Sequence, residues 1–143
     1  MIIDDENFKQ KIIDEINSLM KNNSVKWKAL AEDNNDFMTS IKYSYRPNPK
    51  RNETKSLSFG YRVCCFNYIP RIIVYDYAYK NGPTESSDMP CIEVSDKGIK
   101  NSNIFNLLSK IEETIEKEKQ SKDEKLLDKL TWYLNNKKRI DTK

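Results

Sequence analysis

The chain has 143 residues, 25 of them Lys or Arg and 22 Asp or Glu, with no histidine, three cysteines and three glycines. That length supports one core without covalent staples, although a composition 37% hydrophobic and 33% charged keeps the core lean. The missing histidine removes the commonest general acid–base and the commonest metal ligand together, and Gly60, Gly82 and Gly98 cannot be assembled into a phosphate-binding glycine loop.

We expect one domain over 1–143, opening with a helix over 4–21. Asp4 or Asp5 can cap it, and Phe8, Ile12, Ile16 and Leu19 recur at helical spacing with Ile13 and Met20 beside them. Residues 25–32 fit either a short helix or an edge strand, with Trp27 docked on the core in both cases. Asp33–Asp36 is a turn cluster.

An antiparallel meander follows over 37–94, with four strands, or five if 25–32 contributes one. Ile41, Tyr43 and Tyr45 alternate with Lys42, Ser44 and Arg46. Leu57, Phe59, Tyr61, Val63 and Cys65 alternate with Ser58, Gly60, Arg62 and Cys64. Ile73, Tyr75, Tyr77 and Tyr79 alternate with Ile72, Val74, Asp76, Ala78 and Lys80. Such alternation is the pattern of strands with one buried face. A three-residue loop at Tyr68-Ile69-Pro70 would pair Val63 with Tyr75, Tyr61 with Tyr77 and Phe59 with Tyr79, and would set Arg62 opposite Asp76. The Pro47–Lys55 connection is long, polar and basic, and its two prolines keep it out of a strand. A surface loop over 81–88 leads to a last strand at Cys91–Val94 and a turn over 95–98.

Asn101 or Ser102 can cap the C-terminal region, where Ile104, Phe105, Leu107, Leu108, Ile111 and Ile115 form one apolar stripe and Leu126, Leu127, Leu130, Tyr133 and Leu134, with Trp132, another. Ser121 followed by Glu124 reads as a capping box, which divides the region into helices over 102–120 and 122–137 packed on one sheet face. No Gly or Pro interrupts it, and its alternating charges also suit one continuous helix. The fold class is α+β.

The candidate chemistry is concentrated between Ser40 and Lys80, which holds nine of the fifteen aromatics and a local charge of +6. Lys42, Arg46, Lys50, Arg51, Lys55 and Arg62 could neutralise phosphates, and Phe66 and Tyr68, which break the alternation, could stack on bases. The odd-numbered tyrosines belong to the core side. Trp132 and Tyr133 are the place to look for a helical interface. Asp76, Asp88 and Glu93 have plausible spacing for the carboxylates of a metal-dependent nuclease, but no lysine follows Glu93 at the required step. Cys64 or Cys91 as a nucleophile lacks an activating base, and the three cysteines fall short of the four ligands of a structural zinc site.

No cofactor or metal is expected, no apolar run reaches membrane-span length, and the N-terminus lacks the features of a signal peptide, so a cytoplasmic location with reduced thiols is expected. The abundance of Lys, Asn and Ile suits an AT-rich genome. Together these features point to a non-enzymatic binding protein, a small regulator or inhibitor of a protein or nucleoprotein complex, of the kind a phage or mobile element uses against host defence. The alternative is a direct nucleic-acid or nucleotide binder using the basic loop and polar sheet face, and the third reading is the nuclease. The sequence sets no oligomeric state.

Overall fold

The computed structural model describes residues 1–30, 35–77, 89–97 and 102–137. Its elements are α1 (Glu6–Lys21), β1 (Lys28–Ala29), β2 (Asp36–Tyr45), β3 (Lys55–Phe66), β4 (Ile69–Asp76), β5 (Cys91–Ser95) and α2 (Asn103–Asn136). The five strands form one antiparallel sheet in the order β1-β2-β3-β4-β5. The expected α+β meander is present in its five-strand form, because Lys28–Ala29 pairs with Met38 and Phe37 as an edge strand. Residues 31–34, 78–88, 98–101 and 138–143 lie outside the described set. With them go half of the expected turn at Asp33–Asp36, the 81–88 loop, Tyr79, Lys80, Asp88 and Asn101.

The Asp5 carboxylate starts α1 by accepting hydrogen bonds from the backbone N–H groups of Asn7 and Phe8 at 2.9 and 3.2 Å. The helix buries Ile12, Ile13 and Ile16 and ends at Asn22 and Asn23, the latter with φ 54°. Those isoleucines meet Trp27, Phe37, Tyr61, Val63, Ile72 and Val94 from the sheet and Ile104, Leu107, Leu108 and Ile111 from α2 in a single core. Both helices therefore cover one sheet face. Thr39 donates to the Lys26 carbonyl at 2.7 Å, which fastens the Val25–Trp27 segment over that core. At the other edge Ile2 runs parallel to Glu93, with Ile3 N–H donating to the Glu93 carbonyl at 2.9 Å.

The β3–β4 register differs from the expected one. Asn67 and Tyr68 both take positive φ, 52° and 64°, and make a two-residue turn of the kind whose twist suits antiparallel strands. Pro70, expected in the loop, is buried inside β4 opposite Cys65. Val63 consequently faces Ile72 and not Tyr75, and Tyr61 faces Val74 and not Tyr77. Because side chains alternate, this odd slip exchanges the two faces of β4. Ile72 and Val74 enter the core, while Tyr75 joins Arg62 on the face away from the helices. Tyr77 lies there too, against Gly60, where a Cβ would stand 2.7 Å from its ring. Arg62 therefore does not oppose Asp76; the two lie on opposite faces of the sheet.

The C-terminal region is one helix of 34 residues, not two. Ser102 caps it, its Oγ accepting from Phe105 N–H at 3.0 Å. The expected break at Ser121 does not form: intrahelical pairs such as Glu113–Lys117 and Gln120–Glu124 run up to and across it, and nothing in the sequence removes a backbone hydrogen bond. Only its first part packs on the sheet. Ile104 to Ile111 is the buried stretch, Ile115 is half-buried, and every residue from Glu116 to Lys137 is exposed.

Candidate functional site

Two features project from the packed body, and each carries residues singled out in the sequence. The first is the distal end of the β2–β3 hairpin. On one side β1 reaches only as far as Met38, and on the other β4 stops at Asp76 opposite Phe59. From the Tyr43–Leu57 pair outward, then, the hairpin is a two-stranded ribbon with no flanking strand among the described residues. Lys42 stands at its base, Lys55 on its rising strand, and Arg46, Lys50 and Arg51 in the loop, all exposed, with Glu53 as the one anion among them. None of the five cations is in an ion pair with a described residue.

The loop at the tip is ordered by its own side chains. Asn48 accepts at its side-chain oxygen from Lys50 N–H at 3.0 Å and at its carbonyl from Arg51 N–H at 3.1 Å. Arg46 spans the loop to donate to Asn52 at 3.0 Å. Behind the ribbon, Tyr43 rests on Phe59 (ring centroids 5.8 Å apart) and shares a 3.0 Å hydroxyl hydrogen bond with Tyr61. Burial, together with the hydroxyl pair and Glu15, holds the Tyr43 phenol well above its ordinary pKa, so it stays neutral. This aromatic layer anchors the basic ribbon to the core.

Arg62, Phe66 and Tyr68 do not join that group. Arg62 makes a bidentate pair with Asp36, at 2.8 and 2.6 Å, and lies 5.4 Å from the centroid of the Phe66 ring. The Asp36 carboxylate outweighs burial and raises the guanidinium pKa further, so this cation is already neutralised within the fold. Phe66 and Tyr68 sit at the β3–β4 turn, with Tyr68 81% exposed. That turn lies at the opposite end of β3 from Lys55, roughly 35 Å away at strand rise. The expected nucleic-acid set thus separates into a basic ribbon at one end and an aromatic turn at the other.

Of the three carboxylates with nuclease-like spacing, the two among the described residues, Asp76 and Glu93, do not converge. Glu93 faces Ile73 across the β4–β5 pair, on the side away from the helices, and meets Arg71 at 3.4 Å; Asp76 is on the helix side. Among the described residues no group of three His, Cys, Asp or Glu is placed to hold a metal ion. The three cysteines are free, and burial pushes the Cys64 thiol up to about 11. Among the described residues no helix is long and apolar enough to cross a membrane.

The second projecting feature is the distal half of α2, about 30 Å of helix beyond Ile115. Leu126, Leu127, Leu130, Tyr133 and Leu134 each keep half or more of their surface in water. At about 100° per residue they form one stripe, a quarter turn away from the buried Ile104–Ile115 face. Trp132, 67% exposed, points to the opposite side, about 160° from the stripe centre, and so parts from its neighbour Tyr133. The stripe was legible as helical periodicity, but its exposure was not, since apolar periodicity ordinarily marks a buried face. Comparison with known proteins finds no matching family model, no matching curated protein and no matching solved structure.

Proposed function

We propose that this chain is a non-catalytic regulator or inhibitor of a nucleoprotein complex, which it engages by laying the β2–β3 ribbon on a phosphate backbone. The observation that supports this reading is the set Lys42, Arg46, Lys50, Arg51 and Lys55, exposed and free of ion pairs with described residues on a ribbon with an ordered tip. A two-stranded ribbon of this kind fits a major groove or follows a single strand, and its cations release counterions on contact. The non-catalytic part of the reading rests on the absence of histidine from the chain and on the burial that keeps Cys64 a thiol.

The test is fluorescence anisotropy with a labelled DNA duplex and the matching single strand. With five phosphate contacts, affinity should fall by roughly two to three orders of magnitude between 50 and 200 mM salt. The triple variant Lys50→Glu, Arg51→Glu, Lys55→Glu should lose binding while keeping the wild-type circular dichroism spectrum. Undiminished binding by that variant would remove the ribbon from consideration. Magnesium-dependent cleavage of the duplex, abolished by Asp76→Ala, would instead identify an enzyme.

A further inference from the structure

We infer that the distal half of α2 pairs with the same segment of a second copy of this chain, antiparallel and two-fold symmetric about Leu130. The order of residues along the exposed stripe carries this. Leu127 and Tyr133 lie three residues either side of Leu130, Leu126 and Leu134 four, and Asp123 and Lys137 seven. All seven fall within an arc of about 120° on an ideal helix, and all are exposed. The stripe thus has its apolar positions at the same spacing read in either direction, with Leu127 matched by Tyr133, an acid at one end and a base at the other.

A two-fold interface requires one patch to be complementary to itself. Turned about Leu130, the stripe sets Leu126 against Leu134 of the second copy, Leu127 against its Tyr133 and Leu130 against its own counterpart. Asp123 then meets Lys137 of the second copy at both ends, closing the apolar layer with two opposite-charge pairs. A parallel pair in register would set Asp123 on Asp123 and Lys137 on Lys137. The antiparallel arrangement is therefore the one the charges favour.

The fold leaves room for it. Lys137, the C-cap of the second helix, would lie beside Asp123, eight residues or about 12 Å beyond Ile115, where the packed body ends. The two bodies would sit at opposite ends of the helix pair, with their Ile115 positions about 45 Å apart along its axis. The chain's own sheet cannot cover the stripe in this helix. It is a quarter turn from the buried face, and Glu116 to Lys125 between them holds no apolar residue.

Sedimentation equilibrium of the full chain, over about 1–300 μM, tests the pairing. The expected result is a monomer–dimer equilibrium. Leu130→Glu places two carboxylates together at the centre and should weaken it at least about a hundredfold without changing the circular dichroism spectrum. Trp132→Glu, on the opposite side, should leave it intact. Asp123→Lys should weaken pairing about tenfold, and adding Lys137→Asp to the same chain should restore it, because the swapped charges meet only in the antiparallel register. A monomer throughout the range, a dimer indifferent to Leu130→Glu, or a double swap that fails to restore pairing would each overturn the proposal. The first of these outcomes would leave the stripe to a different protein.

Discussion

Asp96 is the residue through which three elements are joined. One carboxylate oxygen holds Lys9 of α1, and the other accepts from Ser102 Oγ at 2.6 Å and from Ile104 N–H at 3.0 Å, at the start of α2. Burial alone would raise the carboxyl pKa, but these donors outweigh it and hold the group below its ordinary 3.8. Burial likewise works against the Lys9 ammonium, yet Asp96 and Glu6 raise it above its ordinary 10.5. The sign follows by linkage. The Asp96 contribution is present above pH 3.8 and is lost as pH falls through the lower folded value. The Lys9 contribution is present below pH 10.5 and is lost as pH rises through the higher folded value. Asp96→Asn should therefore cost about 2 kcal/mol at neutral pH. In urea titrations the gap from wild type should close on both the acid and the alkaline side. A gap that stayed constant from pH 2 to pH 8 would mean the ion pair contributes nothing.

At the scale of elements, α2 is two structures in one helix. Its first third is core, and truncating Ile111 to Ala should cost about 2–5 kcal/mol because that side chain is fully buried. The distal part buries nothing in the monomer and is held by local pairs alone. A chain ending at Lys119 should melt within about 2 °C of the full chain when both are dilute enough to be monomeric. A larger loss would show that the arm folds back on the body. The sequence made α1, the alternation of β2 and β3, and both stripes of α2 legible, because each depends on a local period. It misplaced the β3–β4 register because Pro70 reads as a strand breaker and Asn67-Tyr68 lacks the glycine that usually marks a tight turn. One odd slip then carried Tyr75 and Tyr77 to the wrong face. The pairing of Arg62 with Asp36 was hidden for a different reason: the two lie 26 residues apart in the chain, and only the β2–β3 register brings them together.

For the whole molecule, the proposed ribbon and the proposed helix pair lie on different elements, and their combination has a measurable consequence. A dimer through α2 carries two basic ribbons on bodies about 45 Å apart. A short duplex of about 10 base pairs spans only about 34 Å, whereas one of 40 base pairs spans about 136 Å. Only the longer one can engage both ribbons of one dimer, and the second contact is then intramolecular. At concentrations where the chain is dimeric, wild type should bind the long duplex at least about tenfold more tightly than Leu130→Glu. Per ribbon the two proteins should bind the short duplex equally, since the substitution lies on α2 and the ribbon is unchanged. Anisotropy titrations of both duplexes with both proteins at one salt concentration separate the possibilities. Equal affinities on the long duplex would mean that the ribbons act singly even in a dimer. A loss on both duplexes would place the α2 arm itself in contact with the nucleic acid.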